Sequence, residues 1–253
     1  MDLSPGYWEW APPSALRHVL ACLWTQVTHD AGTRPFLVLP DGCTDLIWQR
    51  GGDAFVAGPD TGPVPTLLTP GTVLVGARFR PGAGGDALGV PLSELRDQRV
   101  GLADLQRDVD RQLPGSLEPD EAVARITDIA GRLAVTGQPD GAVLQACRLL
   151  RRPEARTEDV AAQVGLSGRQ LRRRCEAAVG YGPKMLQRVL RFRRFVSLVD
   201  ASAGPSGQSG PVGPMDLARA AADTGYADQP HLTRETVRLA GLPPAALVRE
   251  RLS

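Results

Sequence analysis

Arg169, Arg172 and Arg173 follow a Gly-Leu-Ser turn at 165–167, in a chain of formal net charge only +1. Guanidinium groups set this close together can bind guanine O6 and N7 with paired hydrogen bonds, or grip phosphate oxygens. Ser167 and Gln170 have the Ser-x-x-Gln spacing of a capping box, which would start a helix just ahead of the arginines. On such a helix Leu171 faces a core and leaves the three arginines outward. Positive charge gathers in the same region: residues 145–199 hold 13 basic and 4 acidic side chains, a net of +9. Residues 1–144 net −7 and residues 200–253 net −1. This asymmetry points to a local anionic partner, the alternative being a solvated helical face.

The pattern occurs twice. Ala161-Ala162-x-x-Gly165 returns as Ala221-Ala222-x-x-Gly225, and Leu171, Arg173, Gly180 and Pro183 return as Leu232, Arg234, Gly241 and Pro244. Each copy predicts a helix, a short turn closed by glycine, and a second helix, which is the helix-turn-helix layout whose second helix enters the DNA major groove. The alternative is a duplicated helical hairpin with no ligand. Between the copies, Met185, Val189, Phe192, Val196 and Val199 recur at helical spacing and predict one long linker helix over 183–199. That rod would hold the two readers near successive groove faces.

These residues carry a resemblance: the stretch 142–252 is similar to the AraC/XylS family of transcription regulators. The resemblance implies two helix-turn-helix subdomains joined by a linker helix and binding promoter DNA. Carried onto this sequence, base contacts fall on Arg169, Arg172 and Arg173 in the first reader and on Gln229, Thr233 and Arg234 in the second. Ser167, Gln170 and Lys184 complete the implied DNA-binding set. The chain departs from the family pattern at Cys175 and Thr236, which stand where a core phenylalanine is usual, at Pro230 early in the second reader, and at Ala227 in place of the capping serine. Asp228 is the substitute cap.

The elements that must position these groups follow from the punctuation of the chain. Short β-rich runs at 36–40, 45–50, 54–58 and 72–79, separated by Gly, Pro and Asp turns, predict a small antiparallel barrel or sandwich over about 34–90. Helical periodicity follows over about 92–136. "GQPDG" at 137–141 reads as a boundary, with Asp140 capping the next helix and Thr157 capping the one after. The expected fold class is α+β with two domains. Residues 1–138 form a regulatory unit and 139–253 a double helix-turn-helix unit, its subdomains at about 142–182 and 215–252. A low-complexity loop, expected to be flexible, runs over 200–214.

"RPFLVLPDGCTDLIW", with "VAGPDTGP" and "VGARFRPGA", resembles the sensor domain of one subgroup of these regulators, a cupin-like β-barrel. Strand alternation puts Cys43, Asp45 and Ile47 on one face and Leu46 and Trp48 on the other. Asp45 with Arg78 or Arg80 is either a structural ion pair or a polar clamp for a small effector; Trp24, Cys43 and Trp48 complete that candidate ligand set. A competing reading makes Cys43 or Cys22 a redox or electrophile sensor, although nearby acids would raise the Cys43 thiol pKa. A cupin-type enzyme is the third reading. Against it, no histidine lies between residues 30 and 230, and no nucleophile elbow, P-loop or GxGxxG sequence occurs. No CxxC pair suggests zinc, so neither metal nor cofactor is expected. The sequence has no apolar run long enough for a membrane span, and a soluble, cytoplasmic chain is expected. Expected partners are promoter DNA, a small-molecule effector, RNA polymerase if the chain activates, and a second copy paired through 92–136.

Overall fold

A computed structural model describes residues 6–28, 36–202 and 215–252. Eight strands fill the first half: β1 (Gly6–Trp10), β2 (Leu20–Val27), β3 (Phe36–Val38), β4 (Thr44–Gln49), β5 (Phe55–Ala57), β6 (Val64–Thr66), β7 (Val73–Phe79) and β8 (Arg99–Gly101). Six pair antiparallel in the order β1-β2-β7-β4-β5-β8, and β3 pairs with β6 in a separate ribbon. Alternation along β4 works as the sequence predicts. Leu46 and Trp48 enter the larger core, while Ile47 joins Cys22, Trp24, Ala57 and Leu74 on the other face. At Gly76 on β7 a Cβ would collide with the Trp24 indole, so the ring lies flat over a strand that must have no side chain there.

Short helices α1 (Gly84–Leu88) and α2 (Leu92–Leu95) follow β7; α3 (Leu102–Asp110) and α4 (Pro119–Thr136) follow β8. α4 lies across β7 and β4 and buries Ile126, Ile129 and Leu133. Its outward side carries Arg125–Glu121 and Arg132–Asp128 pairs one turn apart, a solvated face rather than an apolar one.

The second half is helical: α5 (Gly141–Leu149), α6 (Thr157–Gln163), α7 (Gly168–Val179), α8 (Pro183–Ser202), α9 (Leu217–Thr224), α10 (Gln229–Ala240) and α11 (Pro244–Leu252). The fold class is α+β, an N-terminal β-sheet region followed by a C-terminal helical domain. A second core, from Val143 to Leu247, is built around α8.

Several elements differ from the sequence expectation. Sheet structure begins at Gly6, not near residue 34, because β1 and β2 are the outer strands beside β7. Arg99–Gly101, inside the segment expected to be helical, pairs with β5 as an edge strand. Thr157 is the first residue of α6 rather than its cap; Arg156 holds the cap position without a side-chain bond. α8 runs to Ser202, and its buried surface includes Leu186, Leu190 and Phe195 besides the expected stripe, because α7, α9, α10 and α11 all pack on it. The remainder of the expected flexible loop, 203–214, lies outside the described residues.

The two regions meet along a continuous seam. α7 packs on α1 and α2. A Cβ on Gly180 would collide with Pro59, and one on Gly42 would lie 3.2 Å from Leu186 and 3.5 Å from the Tyr181 hydroxyl. Among the described residues no helix is long and apolar enough to cross a membrane.

Candidate nucleic-acid interface

The first helix pair turns at Gly165, whose φ of +69° a side-chain-bearing residue rarely adopts; Gly225 does the same for the second pair at +84°. α7 then starts on a full capping box: Ser167 Oγ accepts from the Gln170 amide at 3.2 Å, and Gln170 Oε1 accepts from the Ser167 amide at 2.9 Å. Both side chains of the implied contact set are thus engaged in starting the helix. Leu171, Cys175, Ala178 and Val179 are buried, which turns Arg169, Arg172 and Arg173 to solvent. Arg172 donates to Glu176 at 2.8 Å one turn along. Arg169 and Arg173 form no ion pair among the described residues, nor does Lys184, exposed in the first turn of α8. Arg174 points the other way, pairing at 3.1 Å with Asp140, which also caps α5 through the Ala142 and Val143 amides. One acid therefore starts α5 and ties α7 to it.

The second pair repeats the plan with different chemistry. Asp216 caps α9, and Asp228 caps α10 by accepting from the His231 amide at 2.6 Å, taking the role that Ala227 cannot. Pro230 falls in the first turn, where a missing N–H costs nothing. Gln229 and Arg234 are exposed, whereas the Thr233 hydroxyl donates back to the Gln229 carbonyl at 3.0 Å. Thr236 is fully buried, its hydroxyl donating to the Leu232 carbonyl at 2.8 Å, and Cys175 is fully buried at the equivalent place in α7. Sequence reasoning missed Glu235, which takes two bonds from Arg188 of α8 at 2.7 and 2.8 Å and locks α10 to the linker helix. Burial alone would raise the Glu235 pKa, but the bond and charge of Arg188, with the charges of His231 and Arg238, outweigh it and lower it. The available signal was an acid at 235, the repeat position that Arg174 holds in α7.

In the first half, the six candidate ligand residues do not form one cluster. Arg78 lies opposite Asp45 in the sheet and bonds it at 3.0 Å, with Glu9 at 3.1 Å and Asp41 at 3.5 Å. Trp24 donates its indole N–H to Asp45 at 2.8 Å, and Cys43 sits beside the pair, its backbone N–H donating to the Asp41 carboxylate at 2.8 Å. Trp48 belongs to the opposite face, wholly buried, its N–H donating to the Pro114 carbonyl. Arg80 bonds the Arg17 carbonyl at 2.8 Å and faces a different cleft. Asp45 therefore pairs with Arg78, and Glu9 and Asp41 are partners that sequence reasoning did not include. Burial raises the Asp45 pKa, and the Arg78 charge opposes it. Burial is also the main cause that lifts Cys22 to about 12 and Cys43 well above the usual thiol value; for Cys43 the nearby acids come second. Neither thiol forms a ready thiolate, which disfavours the cysteine-sensor reading.

Among the described residues no group of His, Cys, Asp and Glu is placed to hold a metal ion. Between α1, the turn at 89–91, Asp140 ahead of α5, and α7 lies a cleft of about 390 Å³, bordered by Asp86, Val90, Pro91, Asp140, Arg174 and Ala177.

A family described as a domain of unknown function (DUF6597) matches residues 9–101, which include Trp24, Asp45 and Arg78. No curated protein matches the chain. Among solved structures, the chain is similar to ToxT from Vibrio cholerae O395, at 11% identity, over 90% of this chain and 95% of that one, with a TM-score of 0.44. It is likewise similar to ToxT bound to (E)-4-(8-methylnaphthalen-1-yl)but-3-enoic acid, at 13% identity, over 91% and 98%, TM-score 0.45. A third structure, unsaturated fatty acid-bound ToxT from Vibrio cholerae strain SCE256, matches at 12% identity over 91% and 94%, TM-score 0.41.

Proposed function

We propose that this chain is a sequence-specific, DNA-binding transcription regulator of the AraC/XylS type, which reads duplex DNA with α7 and α10 and responds to a small molecule in its first half. The observation that carries the reading is the repeated helix pair. Both copies turn at a positive-φ glycine, both second helices begin on a side-chain cap, and both present an exposed arginine (Arg173, Arg234) with no ion pair among the described residues at the same repeat position. Arginine on the outer face of such a helix suits paired bonding to guanine. In the first reader Arg169 and Arg173 are the principal contacts, with Arg172 available once it leaves Glu176. In the second, Arg234 and Gln229 are the principal contacts and Thr233 is secondary.

For the effector we place contact at Trp24, Asp45 and Arg78, with Cys43 alongside. Three carboxylates there share one guanidinium, so a ligand that brings a donor or a cation completes the set. The seam through Asp41–Cys43, Tyr181 and Leu186 links that cluster to the start of α8. The test is a selection of random duplexes by the purified full chain at one fixed salt concentration, with and without a metabolite library. Enrichment of a defined sequence, altered by one library fraction, is the expected result. Recovery of unrelated sequences under every condition refutes the reading.

A further inference from the structure

Where the sheet region meets the α5 segment, a small cleft is bordered by His18, Arg80 and Pro81 of the former and by Leu144, Cys147, Arg148 and Arg151 of the latter. Three of these seven residues are arginines and a fourth is a histidine, and the four come from both regions. No aspartate or glutamate borders the cleft, and none of the four forms an ion pair among the described residues. At Arg78, Arg174 and Arg188, each held against another element, this chain answers an arginine with an acid, unlike at the solvent-facing Arg169, Arg173 and Arg234. Here it does not, and bringing like charges together without a counter-ion is unfavourable.

The cleft is also prearranged. Arg80 is fixed by its Nε bond to the Arg17 carbonyl, which leaves its terminal nitrogens with no described protein partner. The Arg151 carbonyl accepts from Arg194 of α8, so the backbone carrying that side chain is anchored too. Both Arg151 and Arg148 lie close enough to Cys147 to oppose the rise that burial imposes on its thiol. Arg148 lies in the last turn of α5, where the helix dipole attracts a cation; that accounts for one arginine and not for the convergence of three with a histidine. The volume, about 60 Å³, fits a few waters or one compact oxyanion and is too small for a sugar or an acyl chain.

We propose that this cleft is an oxyanion site that takes a phosphate group and clamps the sheet region to α5. The phosphate comes either from duplex DNA or from a phosphorylated small molecule whose remainder lies in solvent. The site stands apart from the base-reading helices, and it is tested first without DNA.

Inorganic phosphate is titrated into the full chain at ionic strength held constant with chloride, and the melting temperature is followed. At about five times its Kd, phosphate raises Tm by about 2–4 °C. The Arg80→Ala/Arg148→Ala variant loses that rise, whereas Arg111→Ala, on a remote surface pair, keeps it. Arg148→Gln/Arg151→Gln, which touches only exposed side chains, serves as the second variant in case the first does not fold. No rise above the chloride control, or an equal rise in a folded double variant, overturns the proposal. The salt dependence of DNA affinity then separates the sources. A slope reduced by about one per lost contact assigns the site to the DNA backbone, and an unchanged slope assigns it to a small phosphorylated ligand.

Discussion

Arg169 and Arg173 stand in solvent with no acidic partner among the described residues, whereas Arg172 on the same face is held by Glu176. A base contact from Arg172 must first exchange that bond, so its net contribution is smaller. In a binding assay at fixed salt, Arg173→Ala is expected to weaken the selected duplex about tenfold to a hundredfold. Arg172→Ala and Arg234→Ala cost less, the latter because the second reader carries little of the surrounding positive charge. Equal losses at Arg173 and Arg234 contradict this order. Much at this scale was legible in the sequence: Ser167 with Gln170 and Asp140 act through bonds to amides two or three residues away, and such bonds depend only on local spacing. Thr157 shows the limit, since the backbone enters helical geometry one residue early and leaves its hydroxyl inside the first turn. Trp48 and Arg80 show another, because alternation fixes the face of a side chain but not which partner lies above it.

At the scale of elements, α8 decides where the readers sit. Its 20 residues span about 30 Å at 1.5 Å per residue, near the 34 Å repeat between successive major-groove faces. Each reader is fixed to this helix or its neighbours by specific bonds: Arg188–Glu235 to α10, Asp200–Arg251 to α11, and Arg194 to the carbonyls of Thr224 and Arg151. The Glu235 pKa is lowered in the folded chain, so its stabilising contribution is present above the ordinary carboxylate range and lost as pH falls through the lowered value. Urea denaturation should find Glu235→Gln less stable than the parent by about 1 kcal/mol at neutral pH, a figure reduced for the solvent that reaches the pair. The gap should close as pH falls below the ordinary carboxylate range; a gap independent of pH contradicts the ionic role of the pair. The long apolar period of α8 announced this element, but not its second buried side, which exists only because four helices converge on it. β1, β2 and β8 were not legible for the same reason. Gly6–Trp10 and Arg99–Gly101 are short, and they are strands because β2 and β5 offer edges to pair with.

Taken whole, the molecule joins a sheet region to the two repeated helix pairs through a seam in which Gly42, Pro59 and α2 press on Tyr181, Gly180 and α7. Asp41 and Gly42 lie between the Arg78 cluster and Tyr181 and Leu186, which on the proposed reading is the route from effector to DNA. The alternation of short strands and the doubled helix pair revealed both regions in the sequence, but the seam lies between residues some seventy or more positions apart and leaves no periodic trace. The central claim is that one chain reads two neighbouring groove segments. Footprinting of guanine N7 on a selected duplex, at fixed salt, tests it most directly. The account predicts two protected clusters about one helical turn apart, the first lost in Arg173→Ala and the second in Arg234→Ala. A single protected cluster, or protection that both substitutions reduce alike, would contradict it.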